Sequence, residues 1–210
     1  MERVLWLYSL PYNEDYPLLC FDERPCVLLG EVVQPLPCKQ GQVRKEHCTY
    51  ERNGTCALLA AIEPLTGTRV AQVSAYRTKK EYTEFCLKLV AAYPKAKKIR
   101  LVQDNLNTHN SSSFYEHLPA NEAFALAQRF EFHYTPKSAS WLNMIEIEFS
   151  ALARQCLNRR IPDIITLEKE VLSLISQRSK KKIKINWQFS IQKARCKMKK
   201  HYQNISKNES

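Results

Sequence analysis

The sequence predicts an α/β fold around one central sheet, with a set of strands first and helices alternating with strands afterwards. Two observations carry this expectation. Up to Tyr76 the apolar segments have strand length and are separated by turn-forming residues. From Thr78 onward, helix-length segments take turns with short apolar runs. No internal repeat interrupts either half.

Taken in order, residues 2–9 fit a short helix ended near Pro11, so residues 1–15 form an N-terminal helix and linker. The run YPLLCFDE at 16–23 reads as a strand buried on both faces, and VLLGEV at 27–32 as a second strand pairing beside it. The Pro- and Gly-bearing stretch 34–54 reads as an excursion of loop and hairpin. TCALLAAIEP from Thr55 is again strand-like, Thr66 and Gly67 supply a turn, and TRVAQVSAY at 68–76 alternates as a strand. Thr78, with Glu81 three residues on, has the spacing of a capping box and opens a helix to about Tyr93. KIRLVQ at 98–103 is a strand ending at Asp104, followed by a helical region at 111–129 and the short strand FEFHY at 130–134. A helix over 140–158 comes next, then a break at Pro162 and Asp163, a helix over 166–179 and a last amphipathic segment at 190–201.

Composition narrows the function. The four glycines, Gly30, Gly41, Gly54 and Gly67, cannot form the Gly-rich phosphate cradles of common ATP and NAD enzymes. The formal net charge of +11 is concentrated at one end. Residues 1–177 hold 21 Lys and Arg against 20 Asp and Glu, whereas residues 178–210 hold 11 against one. A nearly neutral body, 16–177, therefore carries a basic tail, 178–210, whose charge suits either a polyanion or plain solvation. No apolar run approaches a membrane span, so no membrane partner is expected. The opening MERVLWLYSLPYNEDYP is too polar and too broken by proline for a signal peptide. Cys20, Cys26, Cys38, Cys48, Cys56, Cys86, Cys156 and Cys196 are scattered without a C-x-x-C pair, which favours a reduced cytoplasmic protein using them as small core residues.

Three acids stand at element ends. Asp22 closes the apolar run LLCFDE, Asp104 follows IRLVQ, and Glu146 lies on the helix opening SWLNMIEIEF. An acid in a buried strand is costly unless a cation or hydrogen bonds satisfy it, and carboxylate oxygens suit Mg²⁺ or Mn²⁺. Each acid alone could equally be a cap or turn former. Glu23 points to the opposite strand face from Asp22, and Glu148 stands about 200° round the helix from Glu146, so one member of each pair joins a common cluster.

At these residues the sequence resembles the DDE transposases of bacterial insertion sequences, in the family numbered six-thirty of the mariner-related superfamily. The matching segments are CFDE at 20–23, YERNGT at 50–55, LVQDNLNTH at 101–109 and HYTPKSASWLNMIEIEFSALARQCLNRRIPD at 133–163. The resemblance implies an RNase H-like fold, a mixed five-stranded sheet with helices on both faces, with 16–177 as the catalytic domain. It implies a catalytic, metal-binding triad of Asp22, Asp104 and Glu146, two Mg²⁺ or Mn²⁺ ions, and cleavage of DNA at the element's ends. The freed 3′-hydroxyls then attack target DNA, usually at a TA dinucleotide. The implied setting is a homodimer on double-stranded DNA in the bacterial cytoplasm, associated with the nucleoid.

Asn105, Asn107, His109 and Asn143 are expected near that site, with turn-forming and capping as the plainer role of the asparagines. Arg52, Lys137, Lys180, Lys181, Lys182 and Lys184 are expected to meet DNA phosphates, with His133 and Tyr134 as weaker candidates. Trp141, Trp187 and Phe189 read as packing and docking residues rather than base-stacking ones. Asp22 stands too near the start of the sequence for a helix-turn-helix module to precede it, so terminal-repeat recognition is expected from a separately encoded or frameshifted part. The competing reading is a non-catalytic DNA-binding or regulatory product in which only the basic tail matters. An unrelated RNase H-like nuclease acting on RNA is a third.

Overall fold

The computed structural model describes residues 1–37, 39–41, 45, 47–199 and 202. Helix α1 (Glu2–Ser9) leads into strand β1 (Leu18–Glu31), β2 (Tyr50–Glu63) and β3 (Thr68–Ser74). Then follow α2 (Lys79–Ala92), β4 (Ile99–Gln103), α3 (Ser112–His117), α4 (Ala120–Gln128) and β5 (Phe130–Tyr134). A 3-10 turn (Ser140–Leu142) precedes α5 (Ile145–Gln155), α6 (Ile164–Lys180) and α7 (Ile191–Lys197).

The strands form one mixed sheet in the order β3-β2-β1-β4-β5. β1 to β3 run antiparallel, while β4 and β5 run parallel to β1. Alternation along β1 sends Leu19 and Phe21 to one face and Cys20, Cys26 and Leu28 to the other. On the first face α2, α3 and α4 bring Tyr82, Phe85, Leu89, Phe114 and Leu126 against them. On the second, α1, α5, α6 and α7 bring Leu5, Phe149, Leu152, Val171 and Ala194. This is the RNase H-like arrangement expected, with helices on both faces.

Local signals explain most elements. Thr78 and Glu81 form the expected capping box of α2, the Glu81 carboxylate accepting from the Thr78 amide at 2.9 Å. Asp163 caps α6 by accepting from the Thr166 amide at 2.8 Å.

Four expectations need correction. The segments 16–23 and 27–32 are one strand, and 27–31 pairs with 50–55 of β2 rather than with its own first half. Pro25 does not break it because β4 pairs with β1 only at Leu18–Cys20, so the edge beside Pro25 has no strand needing a donor. β2 starts at Tyr50, inside the stretch expected to be an excursion of loop and hairpin, and passes a bulge opposite Leu28 and Leu29 where Gly54 takes φ +113°. The helical region 111–129 is two helices divided at Pro119, and the helix expected from Ser140 starts properly at Ile145. Position 38 lies outside the described residues, and so do 200 and 201 of the last amphipathic segment. Cys20, Cys26, Cys56, Cys86 and Cys156 are buried free thiols, as expected of core residues, whereas Cys48 and Cys196 are exposed.

The start of the basic segment is laid along the body. The Ile185 amide donates to Pro64 O at 3.0 Å, and Arg69 donates to Ile183 O at 2.8 Å. Trp187 sits edge-on to Tyr8 at 5.3 Å, Phe189 edge-on to Trp141 at 5.5 Å, and Arg195 grips Glu2 through two bonds of 2.8 and 2.7 Å. Gly67 allows this approach: a Cβ there would come within 2.8 Å of Ile183 O.

Candidate active site

Strand register creates the site. Cys20 on β1 lies beside Val102 on β4, so two residues further along the parallel pair Asp22 and Asp104 stand next to each other where β4 ends. Tyr134, paired with Gln103, ends β5 at the same level. A cleft of about 580 Å³ opens there, lined by Asp22, Asp104, Asn105, Tyr134, Lys137 and Ser140.

Glu146, exposed in the first turn of α5, is held near that cleft by Asn143. The buried Asn143 side chain donates to Phe21 O at 2.7 Å, and the Asn143 backbone carbonyl accepts from the Glu146 amide at 3.2 Å. Asn143 thus ties the start of α5 to the residue preceding Asp22. Burial pushes the Asp22 carboxyl up to about 6, and repulsion from Asp104 and Glu146 adds to the shift even though the Glu23 amide donates to it. Two neighbouring carboxylates therefore add to the cost of ionising Asp22 at this end of the sheet.

Oxygen donors from carboxylates are the set a hard divalent cation takes, and the raised Asp22 marks a place where positive charge would be stabilised. Among the described residues no group of three His, Cys, Asp or Glu is arranged to hold an ion, so the cleft presents donors rather than a closed cage.

His109 was expected near the site, and its surroundings are the feature sequence reasoning missed. Its ring is fully buried, with Nδ1 2.5 Å from Asp104 Oδ1 and Nε2 3.2 Å from Glu23 Oε1. The second contact is close enough for charge attraction without the alignment of a hydrogen bond. Although burial opposes it, the bond to Asp104 and the nearness of Glu23 push the imidazolium up to about 9. Arg77 Nε stands 3.5 Å from the other Glu23 oxygen. The signal was present: strand alternation sends Glu23 to the face opposite Asp22, into the core between β1 and α2, where a carboxylate needs a partner.

Glu148 is the second missed acid. It is buried between Arg69, at 2.9 Å to both oxygens, and Arg178, at 2.7 and 3.1 Å. These bonds outweigh burial and hold its carboxyl below the usual range.

The remaining candidates spread out. Asn105 lines the cleft, whereas the Asn107 carbonyl accepts from Asn110 in the loop beyond it. His133 is buried, facing Arg3 at 3.3 Å and Glu131 at 3.1 Å, which makes it a core histidine. Trp141 stays 45% exposed beside Phe189, and Trp187 docks on α1 through Tyr8. Arg52 is exposed on β2 opposite Leu29, seven residues beyond Asp22 along β1. Lys180, Lys181, Lys182 and Lys184 are exposed, away from the cleft lining, and Lys182 and Lys184 flank Thr66 and Thr68 at the β2–β3 turn. Among the described residues no helix is long and apolar enough to cross a membrane.

The family model described as DDE superfamily endonuclease matches residues 17–168. No curated relative matches the sequence. Among solved structures, the Mos1 mariner paired-end complex with Mn aligns with 87% of this chain and 55% of its own, at 12% identity and a TM-score of 0.56. The pre-cleavage Mos1 transpososome aligns with 89% of this chain and 61% of its own, at 12% identity and a TM-score of 0.52. At that identity the likeness is one of fold. The chain spans a little over half the length of these solved transposase chains.

Proposed function

This chain belongs to the DDE superfamily endonuclease family, and on that premise we propose that it is the catalytic part of an insertion-sequence transposase. Its reaction is hydrolysis of a phosphodiester at the element's end, followed by attack of the freed 3′-hydroxyl on target DNA. One observation supports the reading: Asp22 and Asp104 line one cleft, Glu146 stands near enough to add to the rise of Asp22 to about 6, and among the described residues none of the three pairs with Lys or Arg.

In this reading the three acids are the donors for two Mg²⁺ or Mn²⁺ ions. Such ions polarise a phosphodiester, activate the attacking oxygen and stabilise the leaving one. The chain's own work is placement. β1 and β4 set Asp22 beside Asp104, Asn143 fixes the reach of Glu146, and Lys137 and Asn105 line the approach of the strand. Arg52, Lys180, Lys181, Lys182 and Lys184 meet phosphates away from the cleft. Recognition of the terminal repeats is assigned to a helix-turn-helix part outside residues 1–210. Dimeric assembly on double-stranded DNA is taken from those relatives, which were solved as paired-end complexes.

The test is Mg²⁺- or Mn²⁺-dependent nicking of DNA carrying the element's ends, with a recognition domain supplied. Asp104→Asn is expected to lose cleavage while DNA binding persists. Full cleavage by Asp104→Asn overturns the triad. Salt-sensitive binding with no cleavage by the unaltered chain favours the regulatory reading instead, and RNA-strand cleavage without strand transfer favours an RNA-directed nuclease.

A further inference from the structure

We propose that Glu23 and His109 form a buried brace that fixes the carboxylate of Asp104 in one orientation for a divalent cation. The proposal rests on the metal-binding reading of Asp22, Asp104 and Glu146. Both are positioning residues, because neither lines the cleft.

An aspartate at the end of a strand is free to turn about its side-chain bonds. Asp104 is not. Its Oδ1 is taken by His109 Nδ1 at 2.5 Å and also faces the Leu106 amide at 3.4 Å, which leaves Oδ2 for a ligand. The ring that holds Oδ1 is itself immobilised. Phe21 meets it edge-on at 5.1 Å and Tyr82 lies against it at 5.0 Å. Its backbone is tied down as well: the His109 amide donates to Leu106 O at 2.9 Å, and Gln103 Nε2 donates to His109 O at 2.7 Å. Tyr82 in turn donates to Gln103 Oε1 at 2.9 Å. Glu23 closes the far side, so both ring nitrogens face a carboxylate oxygen.

A buried carboxylate and a buried imidazole are costly insertions into an apolar face that otherwise packs well with Phe21, Phe85 and Phe114. Their arrangement makes sense as support for the one oxygen pair at the cleft. Ligands to metals are held in this way by groups behind them, and loss of such a group weakens metal affinity by about 10- to 100-fold. β1 thereby supplies two services from adjacent residues: Asp22 to the cleft on one face and Glu23 to the brace on the other.

The experiment is Mn²⁺ titration of the whole 210-residue chain without DNA, followed calorimetrically, with thermal unfolding in chelator as the fold control. Glu23→Gln and His109→Gln are each expected to weaken Mn²⁺ binding about 10-fold. The double variant should be little weaker than either single one, and Glu23→Asp should recover part of the loss. Unchanged affinity in Glu23→Gln, with affinity lost in Asp104→Asn, overturns the brace and leaves the metal reading standing. Unchanged affinity in Asp104→Asn overturns the metal reading itself. Should both brace variants fail to fold, Glu23→Asp decides, because it keeps the charge and shortens the reach to His109. Mn²⁺ affinity lowered in Glu23→Asp supports the brace, and affinity unchanged from the parent overturns it.

Discussion

Two acidic pairs, Asp22-Glu23 on β1 and Glu146-x-Glu148 on α5, divide in the same way. One member of each turns to the cleft and has no cationic partner among the described residues. The other turns inward and is met from two sides, Glu23 by His109 and Arg77, Glu148 by Arg69 and Arg178. The chain carries a net +11, so cations were available to neutralise the cleft acids as well. Inward acids are compensated because a bare buried charge would unfold the protein. Asp22 and Glu146 remain without a cationic partner among the described residues, which costs stability and leaves a charge deficit for something from outside to fill.

Isosteric neutralisation should split the pairs. Asp22→Asn or Glu146→Gln is expected to reduce DNA cleavage by roughly a thousand-fold with the melting temperature unchanged or raised. Glu148→Ala should do the reverse in rank. It strands Arg69, whose side chain is 1% exposed, and so costs about 3–5 kcal/mol, read as a fall in melting temperature of roughly 10 °C. A thermally stable Glu148→Ala chain would break the comparison. Mn²⁺ at about a hundred times its dissociation constant should stabilise the unaltered protein by about 2.7 kcal/mol, an effect absent from Asp22→Asn.

The two kinds of acid should also answer pH with opposite signs. In chelator, the folded state holds the Asp22 proton more tightly than the unfolded chain does, since its carboxyl is raised from 3.8 to about 6. Its ionisation therefore opposes folding above about pH 6, and stability is regained as pH falls from there toward 4. Glu148 is lowered, so its contribution is complete above the unfolded value and is lost as pH falls through the folded one. Asp22→Asn should accordingly be more stable than the parent at pH 8, by about 1–2 kcal/mol after solvent screening, with the gap closing near pH 4. A gap that does not narrow between these limits would mean that Asp22 is not raised.

Much of this was legible beforehand, and the remainder was not for identifiable reasons. The strand-end positions of Asp22 and Asp104 could be read because apolar runs stop at them, and the α2 cap because its two residues lie three apart. Period-2 alternation told Glu23 from Asp22 without saying what Glu23 would meet, since His109 reaches it only through the fold. The length of β1 was hidden by Pro25, which is harmful only beside a neighbouring strand, and no local signal says where β4 will end. Asn143 was singled out as near the site, but its bond to Phe21 O joins residues 122 apart.

The smallest effect extends the same comparison to positive charge. Lys180, Lys181, Lys182 and Lys184 are exposed and have no carboxylate partner among the described residues, whereas Arg195 is spent on Glu2 and Arg178 on Glu148. A cation that already holds a carboxylate releases few counterions from DNA, because its own charge is compensated before DNA arrives. Each unpartnered lysine that meets a phosphate should carry about 0.9 of the slope of log affinity against log salt. Lys182→Ala and Lys184→Ala should therefore each flatten the slope by about that much, equally on all DNA sequences, and Arg195→Ala should leave it nearly unchanged. Binding measured across a salt series gives the answer. Equal flattening by Arg195→Ala and Lys182→Ala would show that partnership within the chain does not decide which charges are free for DNA, and the same rule would then lose its force at the cleft.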